Sequence, residues 1–250
     1  MKKTIVMAFV LAASIVSLSA QNTFKGIIKY KVESTGQVDM KIPAEAAVAE
    51  IKVSGNDMYT KSAIFAGGMT ECILIQNLTS TACINYGQLL SYLRSQGNEF
   101  TYEGDGKLLM KEEHKASDFD SVFIVDTEPG HFYYERVAGE ERTIAGLKAN
   151  KLIRHTYDDD GVDHPVEMWY CKEVGPQINV LFGGIPGMPL QCTVDAGQGR
   201  AITYTATEVI KGKVKEADFL LPDGYQTLSE QELETLGEEL KDAIELMQEE

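Results

Sequence analysis

The sequence lacks an excess of basic residues. Its 250 residues contain 23 Lys and Arg against 38 Asp and Glu, which gives a formal net charge of −15. Because binding to nucleic acids and to anionic lipid headgroups depends on clustered Lys and Arg, we expect no nucleic-acid partner and no electrostatic docking to a membrane surface. Hydrophobic residues still make up 44% of the chain, which is typical of a folded protein with a sizeable core.

Motifs that specify a reaction are also absent from the sequence. The four histidines do not form H-E-x-x-H, and no two of them are four residues apart as in a helical zinc site. No G-x-S-x-G segment is present to nominate a hydrolytic serine. We therefore predict that the protein is not an enzyme and that it has no catalytic residue, no metal site and no cofactor.

An acidic segment over residues 156–167 partly matches a calcium-binding loop. It has Asp158 and Asp160 at the third and fifth positions, Gly161 at the sixth and Glu167 at the twelfth. The first position of the segment is not acidic, and the flanking residues are strand-like. A turn at the tip of a hairpin accounts for the same residues without a metal ion, so we favour the turn.

Long apolar runs are confined to the N-terminus. Lys2 and Lys3 are followed by an apolar stretch over residues 5–18 and then by small residues up to Ala20. This order is typical of a secretory signal peptide, and the stretch is shorter than the ~20 residues of a membrane span. We predict that residues 1–20 are removed and that the mature protein is periplasmic or secreted, without a transmembrane segment. The alternative is an N-terminal membrane anchor.

The sequence has four cysteines, and none belongs to a C-x-x-C pair. An exported chain with this number of cysteines is expected to form disulfides. Strand-like segments on either side of residues 77–78 indicate a hairpin that places Cys72 opposite Cys83, where a small adjustment allows a disulfide. Cys171 and Cys192 then pair by default. The alternative is four buried free thiols.

Alternation of apolar and polar residues predicts several short strands. The clearest are residues 24–32 and 200–207, together with a hairpin of residues 152–157 and 166–170 around a turn at 159–161. Strands do not alternate with helices as they do in βαβ units. The pattern therefore predicts an α+β, β-rich fold with an antiparallel sheet.

Two internal segments and the C-terminus have helical patterns. Residues 43–50 are Ala-rich after a Pro that suits a first helical turn, and residues 86–96 place Leu at helical spacing. At the C-terminus, Ser229 and Glu232 form a capping box before an apolar stripe. The stripe consists of Leu233, Leu236, Leu240, Ile244 and Met247.

The C-terminal helix has a different composition from the rest of the chain. Residues 229–250 contain nine acidic residues and one Lys, a net charge of −8 out of −17 for the chain after residue 20. We therefore predict a β-rich domain over residues 21–228 and an acidic amphipathic helix over 229–250. We expect the apolar stripe to pack on the protein's own sheet rather than on a partner or a membrane.

A Gly- and Pro-rich segment over residues 175–190 is the candidate binding region. Its candidate ligand-binding residues are Phe182, Ile185, Pro186 and Met188. Such a stiff, apolar loop is typical of a lid or a binding lip on the surface. The alternative is a long crossover that is packed against the core.

Residues 184–188, Gly-Ile-Pro-Gly-Met, resemble the signature of the GLPGLI-type envelope proteins. Residues 143–149, 168–170 and 219–225 are similar to a related family of exported Gram-negative proteins that have a LolA-like fold. The resemblance implies a curved antiparallel half-barrel covered by a few helices, whose concave face holds an acyl chain or another apolar ligand. Pro189 departs from the signature, where an aliphatic residue would continue into a strand. The family has no established catalytic residues.

Two hypotheses for the function follow. The first is a non-enzymatic periplasmic protein that binds a lipid or another hydrophobic ligand in its half-barrel, since burial of an acyl chain contributes ~25 cal/mol per Å² without charged contacts. The alternative is an envelope structural or interaction protein whose concave face is filled by its own side chains. A continuous apolar channel would favour the first hypothesis, and a packed interior would favour the second.

Overall fold

The computed structural model describes residues 24–36, 47–61, 69–197 and 200–248. The strands are β1 (Lys25–Gly36), β2 (Val48–Ser54), β3 (Asp57–Thr60), β4 (Thr70–Gln76), β5 (Thr79–Asn85), β6 (Lys107–Glu113), β7 (Phe132–Ile144), β8 (Leu147–Thr156), β9 (Val166–Cys171), β10 (Met188–Gly197) and β11 (Arg200–Lys211). The helices are α1 (Gly87–Ser95) and α2 (Glu230–Gln248). The predicted signal peptide and its cleavage site lie outside the described residues.

The strands form one antiparallel sheet in the order β6-β5-β4-β3-β2-β1-β11-β10-β9-β8-β7. The chain thus makes two meanders, β1–β6 and β7–β11, which join where β1 pairs with β11 from Gly26–Lys211 to Gly36–Arg200. The sheet is curved and open, with β6 and β7 as its edges. The predicted β-rich α+β fold, a curved antiparallel sheet with a few helices, is confirmed.

One predicted helix is wrong. The segment 43–50 was expected to be helical, but residues 48–50 begin β2, and residues 43–46 lie outside the described part of the chain. Ala49, Ile51 and Val53 are buried at alternate positions, and the strand pairs with β1. The period of two set by Ile51 and Val53 therefore overrides the helical preference of the alanines.

The main core lies on the inner face of the sheet and is filled by the protein's own side chains. Ile28, Tyr30 and Val32 of β1 are at most 3% exposed, as expected for alternate residues on the buried face of a strand. Val122 and Ile185, which lie in connecting segments, are buried in the same cluster. The described part of the inner face is therefore packed.

The segment 114–131 connects the two edge strands, so it crosses the sheet from β6 to β7. Phe119 packs so closely on the backbone of Gly184 that a Cβ at Gly184 would lie 2.4 Å from the Phe119 side chain. Val122 is buried in the main core, and its carbonyl accepts a hydrogen bond from the Tyr134 N–H at 2.7 Å. The crossing segment thus covers part of the inner face and is fastened to the edge strand β7.

The C-terminal helix begins with the predicted capping box. The Ser229 N–H donates to the Glu232 carboxylate at 2.8 Å, and the Glu232 N–H donates to the Ser229 hydroxyl at 3.3 Å. Leu236 and Leu240 are buried in one cluster with Leu90 of α1 and with β6. Of the predicted stripe, Leu236 and Leu240 are thus buried and Leu233 packs against them, with α1 and β6 as the contact surface, so this part of the stripe packs on the protein itself. No helix in the described part of the chain combines the length and the apolar character that a membrane span needs.

The predicted disulfides are not present in the structure. The hairpin of β4 and β5 does pair Cys72 with Cys83, but both are buried free thiols. The two thiols lie in contact, and burial together with this contact raises the pKa of Cys83, so the thiolate that disulfide formation needs is disfavoured. The second pairing is wrong: Cys171 is opposite Met188, and Cys192 is opposite Met168, so these cysteines are out of register. Both are buried free thiols as well.

The acidic segment at 156–167 forms the tip of the predicted β8–β9 hairpin. The carboxylate of Asp158 accepts hydrogen bonds from the backbone N–H groups of Asp160 and Val162, at 3.1 and 2.8 Å. Its second oxygen is 2.8 Å from Nε2 of His164. These contacts are those of an Asx-type turn, as the sequence predicted.

Candidate functional site

The Gly- and Pro-rich segment is not the exposed loop that the sequence predicted. The four candidate residues were Phe182, Ile185, Pro186 and Met188. Ile185 and Met188 are fully buried, whereas Phe182 and Pro186 are half-buried. The alternative expectation, a crossover packed against the core, is confirmed. These residues therefore help to fill the inner face of the sheet.

Local backbone geometry explains why the segment turns inward. The buried Asn179 side chain donates to the Gly187 carbonyl at 2.8 Å and holds the segment closed. Gly187 has a φ of +86°, and a Cβ there would lie 2.2 Å from the Cys171 carbonyl oxygen. Pro189 lies within β10, where the register with β9 shifts between Pro189 and Gln191. A proline has no N–H to donate, so a bulge is a position where a sheet accommodates it.

A different group of residues, at the edge strand β7, forms an open cavity. Phe132, Tyr134 and Arg136 lie at alternate positions of β7, so their side chains share the inner face of the sheet. On β8, Arg154 pairs with Tyr134, and Leu152 pairs with Arg136. Arg136 and Arg154 are therefore diagonal neighbours on one face, a spacing of about 7–8 Å between residues.

Aromatic rings lie against both guanidinium groups. The guanidinium carbon of Arg136 is 3.7 Å from the centre of the Phe123 ring, and that of Arg154 is 4.6 Å from the centre of the Phe132 ring. Phe132 and Tyr134 contact each other edge-to-face, with ring centres 5.6 Å apart. Cation–π contacts at these distances orient the guanidinium groups while leaving their N–H groups free to donate.

Tyr134 is the buried centre of this group. Its hydroxyl donates to the Phe182 carbonyl at 3.1 Å, so one of the predicted candidate residues adjoins the site through its backbone. Burial raises the pKa of Tyr134 to about 12, although the positive charge of Arg154 opposes the increase. Tyr134 therefore keeps its proton at neutral pH and acts as a fixed hydrogen-bond donor.

The cavity itself has a volume of about 250 Å³. We name it the arginine–aromatic cavity, and its lining residues are Phe123, Val125, Tyr133, Tyr134, Glu135 and Arg136. Val125 is 68% exposed, which leaves the cavity open to solvent on that side. This volume lies just below the roughly 300–1,000 Å³ of sites that enclose a drug-sized ligand. The cavity therefore has room for a small apolar group or for part of a longer chain.

The charges around the cavity are unusual for so acidic a protein. Among the described residues, neither Arg136 nor Arg154 forms an ion pair, whereas Lys151 on the outer face lies within 3.2 Å of two carboxylates. One carboxylate, that of Glu135, also lines the cavity. It is 3.2 Å from Nε2 of His155, whose Nδ1 is 2.7 Å from the Asp163 carboxylate. Glu135 thus has a partner away from the guanidinium groups.

A second polar group lies in the turn before β7. Asp126, Glu128 and His131 place three possible metal-ligand atoms within 4.8 Å of one another. Nδ1 of His131 is 2.9 Å from the Asp126 carboxylate, and this contact raises the pKa of His131. All three side chains are at least partly exposed, and their mutual contacts account for the geometry of the turn.

The sequence predictions missed the arginine–aromatic cavity. One signal was present, since residues 132–136 place Phe132, Tyr134 and Arg136 two residues apart, which puts them on one face of a strand. The position of Arg154 depends on the register between β7 and β8, and that of Phe123 depends on the crossing segment. The contact of Arg154 with Phe132 and that of Phe123 with Arg136 therefore cannot be read from a local sequence pattern.

No family model matches the chain, and no curated protein matches it. The solved structures that are remotely similar include the following three. MucB is 16% identical, with a TM-score of 0.33, over 84% of this chain and 60% of its own, so the chain spans less than two thirds of that protein. Lipoprotein LppX of Mycobacterium tuberculosis is 12% identical, with a TM-score of 0.26, over 75% of this chain and 87% of its own.

The third solved structure is a LolA superfamily protein from Nitrosomonas europaea. It is 8% identical, with a TM-score of 0.33, over 80% of this chain and 91% of its own.

Proposed function

We propose that the protein is a non-enzymatic, exported binding protein for a lipid or another hydrophobic ligand, and that the ligand occupies the arginine–aromatic cavity. The observation that carries the proposal is an open apolar cavity at a sheet edge whose aromatic walls are already held in place. Tyr134 is fixed by its hydrogen bond to Phe182, and Phe123 is held beneath Arg136. Pre-organised walls of this kind reduce the entropy that binding would otherwise lose.

The position of the site differs from the one that the sequence resemblance implied. A ligand in the middle of the half-barrel would have to displace Val122 of the crossing segment and Ile185 and Met188 of the segment at 175–190, all of which are buried in the main core. The cavity at β7 needs no such displacement. Each CH₂ group buried against its walls contributes about 0.8 kcal/mol.

A second function is favoured by the packed inner face. A sheet whose described inner face is filled by its own side chains fits an envelope structural or interaction protein, the alternative stated above. The two proposals differ in one respect, because only the first requires that a small hydrophobic molecule bind to the purified protein.

The test fills the cavity without disturbing the core. Val125→Trp places a large side chain at a residue that lines the cavity and is 68% exposed, and Ile124→Trp places the same side chain on its 63% exposed neighbour outside the lining. We expect a fluorescent fatty acid to bind the natural protein and the Ile124 variant, and Val125→Trp to weaken binding at least tenfold. Absence of binding to the natural protein, together with no lipid in mass spectra of a native extract, would favour the interaction protein.

A further inference from the structure

The charge pattern at β7 restricts what kind of hydrophobic ligand the cavity takes. The chain carries 38 acidic side chains against 23 basic ones. Even so, Arg136 and Arg154 have no carboxylate within ion-pair distance in the described part of the chain, although β7 carries Glu135 next to Arg136. An exposed or half-buried guanidinium in such a chain is usually near a carboxylate, so two unpaired neighbours leave a local positive site on an otherwise negative protein.

The geometry of the two arginines suits one small anionic group. They are diagonal neighbours across β7 and β8, and each guanidinium lies against an aromatic ring. A guanidinium that stacks on a ring keeps its N–H groups in its own plane, where they can donate to a planar or tetrahedral oxyanion. Two such groups on one face of the sheet, at strand positions about 7–8 Å apart, are within reach of the same carboxylate or phosphate.

The apolar walls adjoin this positive site. Arg136 belongs both to the arginine pair and to the cavity lining, and Phe123 contacts its guanidinium and lines the cavity as well. A ligand that satisfies both features has an anionic head and an apolar chain that begins directly behind it. A volume of about 250 Å³ holds one chain segment rather than several.

We infer that the arginine–aromatic cavity selects a single-chain amphiphile with an anionic head, which is bound between Arg136 and Arg154 while the first part of its chain lies against Phe123, Tyr134 and Val125. This inference rests on the proposed function and adds the chemical class of the ligand. Glu135, which also lines the cavity, disfavours an anion, but its carboxylate faces His155. Its replacement by Gln is therefore expected to strengthen binding of the anion modestly.

The experiment measures recognition of the anionic head separately from recognition of the apolar chain. Binding of dodecanoate, of dodecanol and of inorganic phosphate is measured by displacement of a fluorescent fatty acid and by calorimetry. We expect the natural protein to bind dodecanoate at least tenfold more tightly than dodecanol, since charge-assisted hydrogen bonds contribute that much or more. Phosphate alone is expected to bind more weakly than dodecanoate, because it has no chain to bury.

Arginine variants identify the groups responsible. Arg136→Gln and Arg154→Gln are each expected to weaken dodecanoate binding about tenfold more than they weaken dodecanol binding. The matched control is Arg142→Gln, which removes a guanidinium that stacks on Trp169 at 4.0 Å and does not line the cavity. Thermal unfolding of each variant checks that the fold is retained.

The outcomes distinguish the two levels of the proposal. If dodecanol binds as tightly as dodecanoate, or if the arginine variants weaken both alike, the anionic head is excluded and the hydrophobic binding function stands. If phosphate alone binds as tightly as dodecanoate, the chain is not recognised and the amphiphile is excluded. If neither amphiphile binds, the proposed function itself is overturned, and the selection inferred here is overturned with it.

Discussion

At the scale of single residues, one two-residue hairpin loop of the sheet contains a conformation that its side chains disfavour. Asn77 and Leu78 connect β4 and β5 and have φ values of +50° and +63°. Two residues with positive φ in a two-residue loop form a type I′ turn, in which the second position is usually Gly. Leu78 therefore adopts a left-handed conformation at a cost of about 1–2 kcal/mol relative to the right-handed one.

We predict that Gly relieves this strain. Leu78→Gly is expected to be more stable than Leu78→Ala by about 1 kcal/mol, because both variants lose the same packing while only Gly removes the Cβ. The measurement is the free energy of unfolding in urea for both variants. Equal stabilities would show that the turn is not strained at this position.

At the scale of elements, the capping box of α2 should give the helix a dependence on pH. Hydrogen bonds from the Ser229 hydroxyl and N–H lower the pKa of the Glu232 carboxyl. A carboxyl group whose pKa is lower in the folded state stabilises the protein above its unfolded pKa, near 4.3, and this contribution is lost as the pH falls through the lowered value.

Ser229→Ala tests this contribution. Loss of the cap is expected to destabilise the protein by about 1 kcal/mol at pH 7. The deficit is expected to be smaller at an acidic pH below the lowered pKa of Glu232, where the carboxyl is protonated in both proteins and accepts these hydrogen bonds poorly. Ser229→Thr retains the cap and serves as the control. A deficit that is the same at both pH values would contradict the role of the Glu232 charge.

Two leucines of α2 allow a test of whether this helix unfolds together with the sheet. Leu236 is 2% exposed and packs in the cluster with α1. Leu246 of the same helix is 62% exposed and does not belong to that cluster. We expect Leu236→Ala to destabilise the whole protein by about 2–4 kcal/mol and Leu246→Ala to change its stability by less than about 0.5 kcal/mol. Chemical unfolding followed by far-UV circular dichroism measures both. If Leu236→Ala makes α2 unfold at a lower urea concentration and leaves the unfolding of the sheet unchanged, α2 is not part of the same cooperative unit.

At the scale of the whole molecule, one continuous sheet joins both meanders. Cys83 is buried in a separate hydrophobic cluster of the first meander, together with Tyr59 and Leu74. Cys192 lies in the main core, within the second meander. Burial raises the pKa of each thiol to about 12, and for Cys83 a contact with Cys72 adds to the increase. Both thiols are thus protected from alkylation in the folded protein, because the reactive species is the thiolate.

We predict that both thiols become reactive through the same opening. Native-state alkylation in low urea is expected to give equal free energies of opening for Cys83 and Cys192, since the β1–β11 pair joins both meanders in one continuous sheet. Mass mapping without reduction is expected to find all four thiols free. A Cys72–Cys83 disulfide, or a much smaller opening free energy at Cys83, would contradict this picture.

Much of the fold could be predicted because local patterns determine it. The alternation around Ile28 and Tyr30 requires a strand with one buried face, and Ser229 with Glu232 marks the start of a helix whatever the rest of the chain does. The turn at 77–78 likewise sets the register that brings Cys72 opposite Cys83. These features depend on residues within a few positions of one another.

Other features depend on tertiary structure because their contacts join distant residues. The burial of Ile185 and Met188 requires an inner face for them to cover, and the hydrogen bond from Tyr30 to the Pro189 carbonyl, at 2.8 Å, joins β1 to β10. The pairing of Arg154 with Tyr134 requires the register of two strands. The sequence by itself therefore determined the periods, caps and turns, whereas the tertiary structure decided which apolar segments fill the core and which arginine lines an open cavity.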